Sequence, residues 1–219
     1  MCGIAGIIYR DGAAHPIGDE MTRMLQSMKH RGPDSTGYAL YGVPSNGGLV
    51  MRFKLADANP PRDYEYEGRL RRHRLEVENR LAALGARLHE VEEETPYAFR
   101  VSFDFDGDLK LLADIVENIP EAEVLSLGSS LEIVKDLGDA ESVHDEYGLA
   151  DFSGTHGIGH VRMATESEVD IAGAHPYWAY PYSDVAVVHN GQLTNYFYWR
   201  RRLERGGRRF MSECDSEII

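Results

Sequence analysis

Cysteine occurs only twice in the 219 residues, at Cys2 and Cys214, and Cys2 stands directly behind Met1 at the head of the run GIAGII. Two cysteines cannot form a disulfide framework, so the fold must be held by a buried core, and a reducing compartment is the expected setting. The composition permits such a core. Hydrophobic residues make up 42% and aromatic residues 10% of the chain, as in one large globular domain or two small ones. Cys2 has two readings. It is an inert cysteine near a terminus, or, once an aminopeptidase removes Met1, it carries thiol and α-amine on one residue. A free α-amine titrates at roughly 7.7–8.0 and a thiol at about 8.5. The amine can then accept the thiol proton, directly or through a water, as in N-terminal nucleophiles.

Charge and hydropathy narrow the setting. The formal net charge of −13 argues against sequence-independent binding to nucleic acid or to an anionic membrane. The apolar run Ile4–Ile8 is too short for a signal-peptide core and has no basic residue before it. Nothing approaches the ~20 apolar residues of a membrane span. Glycine stands at position three, where myristoylation would require it at two. The expectation is a cytoplasmic protein.

Along the chain, residues 2–9 read as a buried strand in which Ile4, Ile7 and Ile8 interleave with glycine and alanine. Met21, Met24, Leu25 and Met28 recur at helical spacing until Gly32-Pro33 stops them. STGYALYG and GGLVMRFKLA read as the two strands of a hairpin. From Arg52 to Leu149 the texture becomes more charged. Leu70, Val77, Leu81, Leu84, Leu88 and Val91 form one helical stripe. PYAFRVSFDF alternates as a strand, LKLLADIVENI reads as a helix, and EVLSLGSSLEIVKDLG reads as a hairpin turning at Gly128-Ser129. This 52–149 stretch has no chemical motif of its own and is read as an inserted α+β subdomain. Beyond it, Val161 and Ala186–Val188 belong to short buried strands. A helix follows, capped by Thr194 or Asn195, packed through Tyr196, Trp199 and Leu203 and ended by Gly206-Gly207. The sequence closes on SECDSEII, where Asp215 or Ser216 opens a further element.

Chemistry gathers at the two ends. A cysteine that cleaves an amide passes through a tetrahedral oxyanion, which needs preorganised donors. HNG after a strand offers the Asn190 side-chain amide and the Gly191 N–H, although the tripeptide alone is more often a turn. An amino-acid substrate needs a bidentate grip on its carboxylate and a counter-charge for its ammonium. Arg162 and Asp215 are candidates, each also readable as an ordinary ion-pair residue. His156 and His160 are four apart in HGIGH, but its glycines disfavour the helix that would align them on a metal, and no acidic third ligand is obvious. WRRRLERGGRR is read as a solvated helix face or a contact for an acidic neighbour rather than a nucleic-acid patch. No phosphate loop or dinucleotide fingerprint is present, and no cofactor is expected.

MCGIAGI, HRGPDSTG, GHVRMAT, AHP, VVHNG and CDSE, in that order, resemble the class II glutamine amidotransferases of the N-terminal-nucleophile hydrolase superfamily. HRGPDSTGYALYG, LEIVKDLG, GTHGIGHVRMATESEVDIAGAHPYWA and VAVVHNGQLTNY are most similar to glutamate-synthase-type subunits. These include the separate amidotransferase subunit of N-methylglutamate synthase and archaeal-type glutamate synthase. The resemblance implies that Cys2 attacks the side-chain amide of L-glutamine, giving a γ-glutamyl thioester and ammonia, and that water then releases glutamate. It implies an oxyanion hole at Asn190 and Gly191, a carboxylate grip at Arg162 with Thr165 and His175 nearby, an ammonium clamp at Asp215, and Arg31 ordering a loop over the site. The implied fold is α+β, a four-layer αββα sandwich of two antiparallel sheets. The implied partner is a synthase subunit of glutamate-synthase type that receives the ammonia, and a homo-oligomer is allowed.

Two departures accompany the resemblance. Cysteine at 214 places a second thiol beside Asp215, where the subfamily more often has asparagine or another polar residue. Family domains also continue past the aspartate, so the expectation is a domain incomplete at its C-terminus: a fragment, a truncated frame or half of a split protein. Two other function classes stay open. One is a non-catalytic assembly or regulatory module that docks on a partner. The other is hydrolysis of a different amide on the same scaffold, which the Arg162/Asp215 pair disfavours.

Overall fold

The computed structural model describes residues 2–44, 48–56, 64–164 and 169–219. The chain runs β1 (Gly3–Ile8), α1 (Ile17–Ser27), β2 (Ser35–Gly42), β3 (Gly48–Lys54), α2 (Tyr66–Ala83), β4 (Arg87–Glu93), β5 (Ala98–Asp104), α3 (Leu109–Glu117), β6 (Glu123–Gly128), β7 (Leu131–Leu137), α4 (Ala140–Glu146), β8 (Gly154–Arg162), β9 (Tyr177–Trp178), β10 (Ala186–Val187) and α5 (Tyr196–Arg205). The fold is mixed α+β with antiparallel sheets. One four-stranded sheet has the order β1-β8-β2-β7, a second the order β4-β5-β3-β6, and β9 pairs with β10.

In the first sheet, residues directly opposite one another share a face. Gly3, Val161 and Thr36 lie on one side, and this side packs on α1 through the buried Ile17, Met21 and Leu25. The other side carries Ile4, Gly6 and Ile8 of β1, His156, Ile158 and His160 of β8, and Ala39 and Tyr41 of β2. The second sheet with α2 and α3 forms a βαββαβ unit from β3 to β6 whose strand order is that of a ferredoxin-like split βαβ. Leu70, Val77 and Leu81 of α2 and Leu112 and Val116 of α3 join Met51, Phe53, Phe99, Val101 and Phe103 in the core. The two sheets meet across buried ion pairs. Glu132 on β7 accepts from Arg52 Nε at 2.7 Å and Arg100 Nε at 2.8 Å, and Arg52 also binds Glu94. Glu123 takes Lys54 at 3.0 Å and Lys135 at 3.5 Å.

Several sequence expectations change at this level. STGYALYG and GGLVMRFKLA are strands, but β2 pairs with β7 and β8, while β3 pairs with β5 and β6. They are not a hairpin. β6 and β7 likewise lie in different sheets, and the link between them is a corner rather than a hairpin turn. Asp184 holds that corner: its carboxylate accepts the N–H groups of Ser129, Ser130 and Leu131 at 3.1, 2.8 and 2.8 Å. The helical stripe breaks after Ala83, where Gly85 takes φ +94°, and Leu88 and Val91 lie on β4. In β1 it is Gly3 and Ala5 that are buried, while Ile4 and Ile8 are 40% and 72% exposed. Val188 lies outside β10. No residue of α5 is buried, so Tyr196, Trp199 and Leu203 do not pack it onto a core, and Asn195 at its N-cap makes no side-chain capping bond.

Candidate active site

Cys2 immediately precedes β1, and β1 pairs along its length with β8, so the thiol lies beside the residues that follow β8. Met163 donates its backbone N–H to Cys2 Sγ at 3.3 Å, and the thiol lies 3.7 Å from the Met163 carbonyl. Asp34 sets this segment in place. Its carboxylate accepts the Ala164 N–H at 2.7 Å, and its own N–H donates to the Arg162 carbonyl at 3.1 Å. Gly32 allows the approach, because a Cβ there would lie 2.5 Å from the Val161 carbonyl carbon and oxygen.

Asn190 arrives from the far end of the chain. Its side-chain amide donates to the Cys2 carbonyl at 2.9 Å, a contact between residues 188 apart in sequence. Gly191 follows, where a Cβ would stand 2.5 Å from His189 Nε2. The loop continues to Leu193, whose N–H donates to Asp215 Oδ2 at 2.5 Å. Asp215 opens a 3-10 turn, Asp215–Ile218, in which Ser216 Oγ also reaches His189 Nδ1 at 2.8 Å. Glu217 closes the preceding loop by accepting the N–H groups of Met211 and Ser212 at 2.6 and 2.8 Å. The 215–217 turn and the 189–193 loop are therefore one hydrogen-bonded unit.

Arg162 ends β8 with its side chain buried and 3.9 Å from Asp170. Gly173 leaves room for the guanidinium, since a Cβ there would meet Arg162 Nη2 at 2.8 Å. His175 follows on the same loop. Its ring stacks on His160 at 4.4 Å and meets Tyr177 edge-on at 4.8 Å. Gly37 on β2 lets this loop lie against the sheet, because a Cβ there would fall 2.0 Å from the His175 carbonyl oxygen. Lys135 Nζ supports it from β7 by donating to the carbonyls of Ala172 and Ala174 at 3.4 and 3.1 Å. Burial and then the Arg162 charge push His160 down to about 4, and burial, then His160, Lys135 and Arg162, push His175 to about 2. Both rings are neutral at pH 7, so the fixed positive charge here belongs to Arg162 and Lys135.

The structure thus brings Cys2 and Asn190 into contact and ties Asp215 to the loop that carries Asn190 and Gly191. Arg162 is joined to the same place through its neighbour Met163, and His175 through the loop facing Arg162. Arg31 is exposed on a 3-10 turn, Lys29–Arg31, before the Gly32 approach. Thr165 lies outside the described residues, as does Met1. His156 and His160 lie on a strand and have separate partners, Tyr41 and His175. Among the described residues no group of three or more His, Cys, Asp and Glu side chains is disposed to hold a metal. Sequence reasoning did not single out Asp34, Met163 or Lys135. Asp34 lies in HRGPDSTG, Lys135 in LEIVKDLG and Met163 in GHVRMAT, but a backbone donor and side chains that hold main-chain groups carry no residue-type signal. No helix among the described residues is long and apolar enough to cross a membrane.

No protein-family model matches the chain. An inferred glutamine amidotransferase of Methanothermobacter thermautotrophicus is 38% identical over 224 residues, covering the whole of this chain and 70% of its own length. The glutamine amidotransferase-like protein GlxB of Rhizobium meliloti is 32% identical over 219 residues, again over the whole chain and 67% of its own length. A glutamine–fructose-6-phosphate aminotransferase of M. thermautotrophicus is 43% identical over 89 residues, 41% of this chain and 15% of its own.

Proposed function

We propose that this chain, which belongs to the class II glutamine amidotransferase family, hydrolyses L-glutamine to glutamate and ammonia through a thioester on Cys2. The observation that carries the reading is the meeting of Met163 N–H, Cys2 and the Asn190 amide across most of the sequence. With Met1 removed, the α-amine of Cys2 takes the thiol proton, and the thiolate attacks the γ-carboxamide carbon. The Met163 N–H aimed at sulfur supports the thiolate. The Asn190 amide has two hydrogens. One is held by the Cys2 carbonyl, and the other is available to the oxyanion, with the Gly191 N–H beside it. The proton returns to the leaving amide nitrogen, ammonia departs, and water resolves the thioester to glutamate. Arg162 takes the substrate α-carboxylate and Asp215 the α-ammonium, while His175 shapes the carboxylate end and Thr165 and Arg31 act at its rim.

The finer reading is a subunit of glutamate-synthase or N-methylglutamate-synthase type that passes ammonia to a separate cytoplasmic synthase. In the four-layer form of the fold, the Ile4–Gly6–Ile8 face is where a second sheet would stack. We read the inserted part as the β3-to-β6 unit, which begins at Gly48, ahead of the expected 52–149 stretch, and leaves β7 of that stretch in the first sheet. The test is a glutaminase assay with intact-mass analysis. Active protein should begin at Cys2, a glutamine-analogue alkylating agent should label Cys2 faster than Cys214, and Cys2→Ser should lose most of the rate while keeping the fold. Full turnover with Met1 attached, or in Cys2→Ser, would overturn the mechanism.

A further inference from the structure

Helix α5 leaves the loop that carries Asn190 and Gly191, and it is built unlike the rest of the molecule. Between Tyr196 and Arg209 stand six arginines against one glutamate, in a chain of formal net charge −13. Its first turn is four aromatics in a row, yet no residue of the helix is buried. Phe197 and Tyr198 are 70% and 61% exposed. Two of the arginines have carboxylate partners: Arg200 with Glu204 at 3.0 Å, and Arg209 with Asp114 and Glu117 at 2.9 and 2.7 Å. Arg202 lies over the Trp199 ring at 5.2 Å. Arg201 and Arg205 have no carboxylate partner among the described residues.

Tyr198, Arg201, Arg202 and Arg205 follow one another at i, i+3, i+4 and i+7 and therefore share a helix face. They line an open cavity of about 410 Å³. Exposed tyrosine and tryptophan beside arginine is the composition of an interface hot spot rather than of a solvated face. From this, and on the reading of the protein as an ammonia-delivering subunit, we propose that α5 is the docking surface for an acidic face of the protein that receives the ammonia.

Charge complementarity selects that occupant. A guanidinium with no carboxylate of its own chain offers its fork to a partner carboxylate, and the aromatics supply the apolar contact around it. A polynucleotide fits less well. A helix of ten residues spans about 15 Å. A duplex running past its ends would cross the acidic remainder of the molecule at one negative charge per roughly 1.7 Å. The position also suits the chemistry, because the Tyr196 N–H at the start of α5 donates to the Leu193 carbonyl at 3.2 Å, at the end of the 190–193 loop, and Asp215 accepts the Leu193 N–H. A partner seated there would lie beside the proposed point of ammonia release.

The test is fluorescence anisotropy of a labelled glutamate–tyrosine copolymer titrated with the full chain, alongside labelled oligothymidylate and phosphatidylserine vesicles. The expected result is saturable binding of the copolymer that is lost near 1 M salt, where the screening length falls to roughly 3 Å. Arg201→Glu/Arg205→Glu should weaken it by about tenfold or more, with circular dichroism and the glutaminase rate unchanged. Should that variant not fold, Arg201→Gln/Arg205→Gln, which adds no new charge, is measured instead. The proposal is overturned if the copolymer does not saturate, if the variants bind it as well as the parent does, or if oligothymidylate or vesicles bind more tightly. Self-association abolished by the same substitutions would also overturn it, by making a second copy the occupant. A glutaminase rate that persists while docking fails would overturn the surface and leave the hydrolysis standing.

Discussion

Asn190 and Arg162 are both polar and both at the candidate site, but they are assigned different steps of the reaction, and kinetics separates them. Asn190→Ala should lower kcat by ~10²–10³ with little change in KM, because an oxyanion donor acts only in the transition state. Arg162→Lys keeps the charge and loses the bidentate fork, so it should mainly raise KM for glutamine. The same kinetic pattern in both variants would mean that one role is misassigned. The stacked imidazoles make a second prediction at this scale. His160 and His175 are 1% and 4% exposed, and among the described residues neither ring nitrogen of either has a hydrogen bond of normal geometry. Facing them are Arg162 on β8, Lys135 on β7 and His189 after β10, with Tyr177 against His175. Burial lowers both values in the folded state, so the unfolded chain takes up protons below pH ~6.5 while the folded one does not. Their contribution to stability is complete above that pH. It falls by about 1.4 kcal/mol per group for each pH unit below it, until the folded values are approached. Urea midpoints at pH 7 and pH 5 should therefore separate strongly for the parent chain and less for His160→Phe. An equal loss in both would place the acid sensitivity elsewhere.

At the scale of elements, short contacts to glycine decide how loops seat on strands. Gly37→Ala would drive a Cβ to 2.0 Å from the His175 carbonyl oxygen and 2.9 Å from Lys135 Cβ. The expected cost is about 1–3 kcal/mol of overpacking, together with a reduced glutaminase rate as the His175 loop lifts. A variant with parent stability and rate would show that the loop is not held at this point. The corner between β6 and β7 hangs on Asp184, which sits at φ +58° and takes three backbone N–H groups. Asp184→Ala loses that acceptor and the residue type suited to the left-handed region, and should cost roughly 2–4 kcal/mol by thermal or urea unfolding. Asp184→Asn keeps an acceptor oxygen and should cost less. Equal losses would mean that the side-chain acceptor is not what holds the corner. Strands were readable from composition, since STGYALYG, PYAFRVSFDF and EVLSLG all form one. Sheet membership was not. Adjacent strands with a short link suggest a hairpin, and nothing in the local pattern says that the second strand pairs with segments far away.

At the scale of the molecule, the described residues leave part of one face of the first sheet open, at the β1 edge, while Trp178 and Ala186 pack with Ile158 and Tyr41 in one cluster farther in. Ile4 and Ile8 lie outermost on it, and Ile158 and Tyr41 are only half-buried. An apolar sheet face of this kind promotes association. The protein is expected to self-associate with rising concentration in sedimentation velocity, and Ile4→Thr/Ile8→Thr, which keeps strand propensity, should weaken that association. A parent chain that stays monomeric throughout would show that the face is not adhesive. The opposite pattern holds between the two sheets, where Glu132 is buried between two arginines and Glu123 between two lysines. What the sequence displayed by itself was local and ordered: a candidate nucleophile at Cys2, candidate donors in HNG, the arginine after GHV and the aspartate in CDSE as candidate substrate contacts, and the positions of most helices and strands. These follow from residue chemistry and short-range periodicity, which a linear chain displays openly. Tertiary structure alone decided that Asn190 reaches the carbonyl of Cys2, that Asp34 holds the backbone donor of Met163 against the thiol, that no residue of α5 is buried among the described residues, and that β6 and β7 part into separate sheets. The physical reason is that each of these depends on a partner distant in sequence, or on the lack of one, and no local pattern encodes that.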